Sequence, residues 1–192
     1  LLCLFLHTQA IADSCRPYAP YLKKYSAELI AHDFPYVYLV AQVHKESNCR
    51  FVISYDGVGS ESPAQITWKW WSGYLKAYGV YNLKTIPNFT KAQVLIMKRM
   101  IEKAYAAGNK KLWIPFQAYN GGWLVLKEIE RSGGSLEQST VKKYCRRKTI
   151  RFKNGQTRSA CDINYEYPVK IEKFSISIYH DMKEKTTTWE MW

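Results

Sequence analysis

The sequence predicts an α+β fold, predominantly α-helical, with a small β-hairpin towards the C-terminus. Three observations carry that prediction. Apolar residues recur at helical spacing, most clearly through Val94, Leu95, Met97, Met100, Ile101, Ala104 and Tyr105. Glycines and prolines cut the chain into segments of helix length rather than into many short strands. One stretch departs from the helical pattern: IRFK, then Asn154-Gly155, then QTRS, which has the form of a hairpin around a two-residue type I′ turn. At 192 residues and 47% hydrophobic content, the chain has enough material for one domain over residues 13–192 with a real core.

The first residues, Leu1 to Leu6, are apolar and lead to Ala10-Ile11-Ala12. This predicts the remnant of a secretory signal peptide, residues 1–12, cut after Ala12; a buried N-terminal helix is the other reading. Export places the protein in the periplasm or cell envelope, or outside the cell. Cys3 would leave with the leader, and Cys15, Cys49, Cys145 and Cys161 remain. An even count in an exported chain favours two disulfides. Of three connectivities, the local pair Cys145–Cys161 leaves Cys15–Cys49. No Cys-x-x-Cys pair is present, which argues against zinc. No apolar run is long enough to span a membrane.

Taken in order, residues 16–31 predict an amphipathic helix with Tyr21, Tyr25, Leu29 and Leu22 on one side. A second helix runs through Tyr36–Ala41 and Val43 to Glu46-Ser47, with Asp33 as its cap and Pro35 in its first turn. A Gly- and Ser-rich loop, Ser54 to Pro63, follows. The Trp68–Gly79 segment holds three Trp that serve as packing residues or as platforms for flat sugar faces. Thr90-Lys-Ala-Gln93 has capping-box spacing before a scaffold helix that Gly108 ends. Residues 112–122 end in Asn120-Gly121-Gly122, where glycines permit positive φ and close backbone approach. Residues 123–131 make another short helix, and Ser135-x-x-Gln138 again has capping-box spacing. The Cys145–Cys161 bridge would staple the hairpin, and Phe174–Tyr179 (FSISIY) alternates like a strand. The last ten residues predict a loosely held tail.

Two features point to chemistry. Glu46 lies three, four and seven residues beyond Val43, Gln42 and Leu39, at the end of an apolar stripe, where burial disfavours the charged carboxylate and makes it a better proton donor. The net charge is +12, and eight basic residues with no acidic one fall between Lys142 and Arg158. In an exported protein this surplus points to anionic envelope polymers rather than to nucleic acid.

Three pieces occur in a specific order: Glu46-Ser47; Gly59-x-x-Ser62-Pro63-Ala64-Gln65-Ile66; and Ala118-Tyr119-Asn120-Gly121-Gly122. Over roughly residues 34–122 the chain resembles the soluble lytic transglycosylases, with a weaker echo at Tyr167-Pro-Val-Lys-Ile171. It departs from the family at Ser62-Pro63-Ala64, where Gly-Leu-Met is usual. The cationic hairpin lies outside the family's common core and is similar to phage or prophage versions. The resemblance implies a lysozyme-like fold and a monomer that acts on peptidoglycan glycan strands, breaking the MurNAc-GlcNAc β-1,4 bond with formation of 1,6-anhydro-MurNAc. It implies Glu46 as general acid and then base. Ser47, Gln65, Tyr119 and Asn120 would line the groove, and Tyr167 or Tyr165 would hold the Glu46 carboxyl. No metal or organic cofactor is implied. Two alternatives stay open: a lysozyme-type muramidase that uses Asp56 or Glu61 as a second carboxylate, and a non-catalytic protein that binds the cell wall or other polyanions.

Overall fold

The structure, a computed structural model, describes residues 14–54, 59–152 and 154–182. The segments expected to be a leader remnant (1–12) and a loosely held tail (183–192), together with Asp56, lie outside the described residues. Among the described residues the fold is mixed α+β and predominantly helical, with two small two-stranded antiparallel sheets. Among the described residues no helix is long and apolar enough to cross a membrane. The chain packs as two compact units, one of residues 14–98 and 171–182 and one of residues 99–170.

In the first unit, a 3-10 turn at Arg16–Tyr18 leads into α1, Ala19–Leu29. Its buried stripe is Tyr18, Ala19, Leu22 and Ser26, at helical spacing. Tyr21 is 37% exposed, so the expected Tyr21–Tyr25–Leu29 face is not the core face. Helix α2, Val37–Ser47, follows, with Leu39, Val40, Ala41, Gln42 and Val43 all fully buried. Asp33 does not cap it, because the helix starts later: Tyr36 holds the N-cap position, and Asp33 sits in a turn before Pro35.

Helix α2 stops at Asn48, whose left-handed conformation (φ 52°) lets its N–H bond His44 O at 2.8 Å. Cys49 continues left-handed (φ 59°), and the disulfide Cys15–Cys49 ties it to the start of the chain. Tyr18 Oη donates to Cys49 O at 2.8 Å inside the core.

Strands β1 (Ser60–Glu61) and β2 (Ile66–Thr67) pair with Ser60 opposite Thr67 and Glu61 opposite Ile66. Within the stretch expected to be loop, Ser60 and Glu61 thus belong to a short antiparallel ladder. Helix α3, Trp68–Ala77, buries Leu75 alone, and Trp70 is 67% exposed. Helix α4, Ile86–Ala106, begins four residues ahead of the expected Thr90. Thr90 Oγ1 instead bonds Ile86 O at 2.6 Å within the helix. Gln93 is fully buried, and its amide donates to Leu39 O at 3.0 Å and to Gln42 Oε1 at 2.8 Å. Core packing across to α2, not capping, therefore accounts for that pair.

The second unit contains α5 (Trp113–Gly121), α6 (Leu124–Arg131), α7 (Gln138–Lys142) and strands β3 (Thr149–Arg151) and β4 (Thr157–Ser159). Ser135 does not cap α7: Glu137 is the N-cap residue, and Ser135 Oγ accepts the Glu137 N–H at 3.2 Å. The predicted hairpin forms, stapled by Cys145–Cys161. Phe152 N–H to Gln156 O at 2.8 Å closes its end, so Asn154-Gly155 is not flanked directly by the strands as a two-residue turn would be.

Helix α8, Ala160–Met182, runs on from β4, and the boundary between the units falls inside it and inside α4. FSISIY belongs to α8 and is not a strand. Ile171, Ser175 and Ile178 are buried while Ile176 is 54% exposed, which is helical and not alternating burial. Pro168 lies within the helix.

Candidate functional site

Glu46 sits half-buried on the last turn of α2, and Leu39, Gln42 and Val43 on its face are fully buried, as the spacing predicts. The next residue, Ser47, is buried, and its hydroxyl serves the backbone. Its oxygen lies 2.8 Å from Pro63 O and 3.2 Å from Val43 O, and it accepts the Arg50 N–H at 3.2 Å. A hydroxyl has one proton, and the shorter contact takes it. Ser47 thus pins the Ser62–Gln65 turn to the end of the helix that bears Glu46.

That turn is built from strained backbone. Ser62 (φ 73°) and Gln65 (φ 50°) are both left-handed without being glycine, which costs about 1–2 kcal/mol each. Gln65 N–H bonds Ser62 O at 3.0 Å, and its side-chain amide donates to Val52 O at 3.0 Å and Ser62 O at 2.9 Å. On the flank, Ser60 Oγ and Thr67 Oγ1 lie 2.7 Å apart across the ladder. Gln65 is half-buried, with its amide hydrogens committed to the loop. Glu61 is half-buried on β1.

In the second unit, Tyr119 and Asn120 occupy the last turn of α5. Tyr119 is half-buried; Asn120 is exposed, and its amide donates to Asn164 Oδ1 at 2.8 Å. The two glycines after it do different work. Gly122 takes positive φ (71°), whereas a Cβ on Gly121 would overlap Arg147 Nη1 and Asn164 Oδ1. Tyr167 is 2% exposed on α8.

Around this corner lies a buried polar network that the motif analysis missed. Glu128, on α6 between Val125 and Ile129, is 2% exposed. Arg147 Nε donates to Glu128 Oε1 at 3.1 Å, Arg147 Nη1 donates to Gly121 O at 2.8 Å, and Tyr165 Oη donates to Glu128 Oε2 at 2.7 Å. Asn164 Nδ2 closes the set on Ala160 O at 2.7 Å. The signal for Glu128 was present: it sits three residues after Val125 and one before Ile129, on an apolar face. Arg147 was hidden in the basic run. Tyr165, the alternative partner for Glu46, commits its hydroxyl to Glu128. Burial foremost, then the hydrogen bond and charge of Glu128, hold the Tyr165 phenol well above its ordinary 10.0, with Gln117 and Arg147 pulling the other way.

Comparison with protein-family models, with curated proteins and with solved structures finds no match.

Breaking the buried pair from one side leaves a desolvated carboxylate without its counter-ion. Arg147→Ala is expected to cost about 3–5 kcal/mol in urea unfolding, while Lys148→Ala, on the exposed surface, costs less than about 0.5; equal effects would remove the pair from its structural role. The raised Tyr165 pKa also carries a sign. Unfolded chain loses the phenolic proton near pH 10 and the folded chain keeps it, so this contribution is present below pH 10 and lost as pH rises beyond it. Between about pH 9 and about pH 11, Tyr165→Phe should lose less stability than the parent chain. Parallel losses in the two proteins would contradict this assignment.

Proposed function

We propose that this chain is a peptidoglycan lytic transglycosylase of lysozyme-like fold. The observation that supports this reading most is the Ser47 Oγ contact to Pro63 O, 2.8 Å long. It holds the Gln65 turn against the very helix end that carries Glu46, which joins the first two of the three ordered motifs by a physical contact. The Tyr119-Asn120 turn, buttressed by Asn164, is the third.

Glu46 is the acid. Its carboxyl proton passes to the glycosidic oxygen after N-acetylmuramic acid, and the C1–O bond breaks. The sugar's own C6 hydroxyl attacks C1, and the Glu46 carboxylate takes the proton from that hydroxyl. The product is the 1,6-anhydro sugar, no water is consumed, and Glu46 returns to its starting form. One carboxyl suffices because the nucleophile is internal, whereas two-carboxylate hydrolysis needs a second acid at a defined separation. By the resemblance, Gln65, Tyr119, Asn120 and Tyr167 are the sugar-contacting residues, with Ser47 as the residue that positions the Gln65 turn. The protein works in the cell envelope as a monomer.

The hairpin adds a means of holding the wall. Lys143, Arg146, Lys148 and Arg151 are exposed, together with Tyr144, Ile150 and Phe152. Lys142, Arg147 and Arg158 instead pair with Asp162, Glu128 and Glu166. Anionic wall polymers fit the first group.

Glu46→Gln should cut the lysis of purified sacculi at least about a hundredfold while glycan binding persists, and mass spectrometry of the products should find anhydro-muropeptides one water lighter than hydrolysed ones. Undiminished lysis would dismiss Glu46, and reducing-end products alone would make the protein a muramidase. Neutralising Lys143, Arg146, Lys148 and Arg151 together should weaken adsorption to sacculi and flatten its salt dependence. Adsorption indifferent to both would discard the anchoring role.

A further inference from the structure

The first unit holds a second chemical grouping, made of residues other than Glu46, Ser47 and Gln65. Cys15 Sγ, Cys49 Sγ and a ring nitrogen of His44 all lie within 4.8 Å of one another. It is the single such cluster of His, Cys and carboxylate ligands among the described residues. Helix α2 supplies His44 on its last turn, and the left-handed Asn48 and Cys49 fold the chain back so that Cys49 meets the same turn. Cys15 arrives from the segment before α1.

The imidazole of His44 is half-buried. Its ring packs edge-on against Phe174, with centroids 4.6 Å apart. Its Nδ1 is buried and has no hydrogen-bond partner among the described residues. A buried polar atom left unsatisfied is costly and calls for an explanation. Both cysteines are buried as well, Cys15 completely.

We propose that Cys15, Cys49 and His44 form a redox-gated site for a borderline-soft divalent cation of the zinc class. The donor set chooses the metal. Two thiolates and an imidazole suit zinc, while calcium and magnesium require oxygen donors that this cluster lacks. Three protein ligands leave a fourth position open to water.

The disulfide is the gate. A dithiol reductant is oxidised to its own disulfide and delivers two electrons and two protons, which convert the Cys15–Cys49 bond to two thiols. Binding the cation then releases those two protons, leaving two thiolates and a neutral imidazole on the metal. Zn–S bonds of about 2.3 Å at tetrahedral angles put the sulfurs ~3.8 Å apart, a span compatible with the present cluster once the S–S bond is open. Among the described residues the Cys145–Cys161 pair belongs to no such cluster, and it serves as the internal control.

The test uses the full chain with Cys3→Ser, reduced by a phosphine that does not compete for metal and titrated with Co²⁺ as a spectroscopic probe, then with Zn²⁺. The reduced protein should develop thiolate-to-cobalt charge-transfer absorption with a tetrahedral d–d pattern at one equivalent, bleached by Zn²⁺, and the oxidised protein should develop none. His44→Ala should weaken Zn²⁺ binding at least about tenfold, and Cys145→Ser with Cys161→Ser should leave it unchanged. Where reduction alone lowers the helical circular dichroism, Zn²⁺ should restore it. The site is refuted by cobalt absorption in the oxidised chain, by its absence from the reduced chain, by full affinity in the His44→Ala protein, by its loss on changing Cys145 and Cys161, or by a reduced chain that Zn²⁺ fails to refold. None of these readouts involves glycan cleavage, so the outcome is independent of the Glu46 assignment.

Discussion

An ionised carboxylate taken out of water must be met by charge and hydrogen bonds, and Glu128 imposes that requirement on the whole second unit. At 2% exposure it recruits Arg147 from the segment after Cys145 and Tyr165 from α8. The guanidinium then reaches Gly121 O at the end of α5. One charge pair thereby fixes four separate pieces of chain: α5, α6, the base of the hairpin and the start of α8. Apolar residues of similar volume could stabilise such a corner equally well. What the polar set adds is geometry, since a guanidinium shared between Glu128 Oε1 and Gly121 O, and a second carboxylate oxygen met by Tyr165, have few ways to be satisfied at once.

The same principle operates on a smaller scale at the end of α2. A helix leaves its last carbonyls without partners, and here Asn48 and Ser47 answer that need while also capturing Pro63 from the following loop. The strain stored at Ser62 and Gln65 is offset by the hydrogen bonds that Gln65 makes with both its backbone and its side chain. Rigid presentation of a turn next to a protonatable group is what a glycosidic cleavage site requires. It is also why Ser47 belongs to the scaffold of the proposed site rather than to its sugar-contacting surface.

Several features were legible before any coordinates. The apolar stripe ending at Glu46 emerged intact because Leu39, Gln42 and Val43 obey the helical period, and both disulfides connect as the local-pair argument has them. The errors cluster where one residue type serves two purposes. Thr90 and Gln93 have the spacing of a cap, yet Gln93 is a core amide bonded to Gln42, and a capping box cannot be told from a buried polar pair by spacing alone. Ser and Ile alternate in FSISIY as they would in a strand, but six residues are too few to outweigh the helix on which they continue. Tyr21 and Tyr25 lost their place in the core to Tyr18, Leu22 and Ser26 for the same reason: either face of α1 carries enough apolar surface, and the neighbours decide.

By itself the chain's order of residues determined the helical character, the positions of its punctuation, the hairpin and the even cysteine count, because each follows from contacts between residues close in sequence or from composition. Tertiary structure alone decided that Glu128 is buried with Arg147 and Tyr165, that Gly121 must lack a side chain, and that His44 stands beside the Cys15–Cys49 sulfurs. These are contacts between residues 19 to 37 apart for the Glu128 network, and their partners are chosen by what remains unsatisfied once the core has excluded water. Short-range pattern cannot reveal such choices, since an exposed and a buried carboxylate are the same letter until the fold has removed the solvent from one of them.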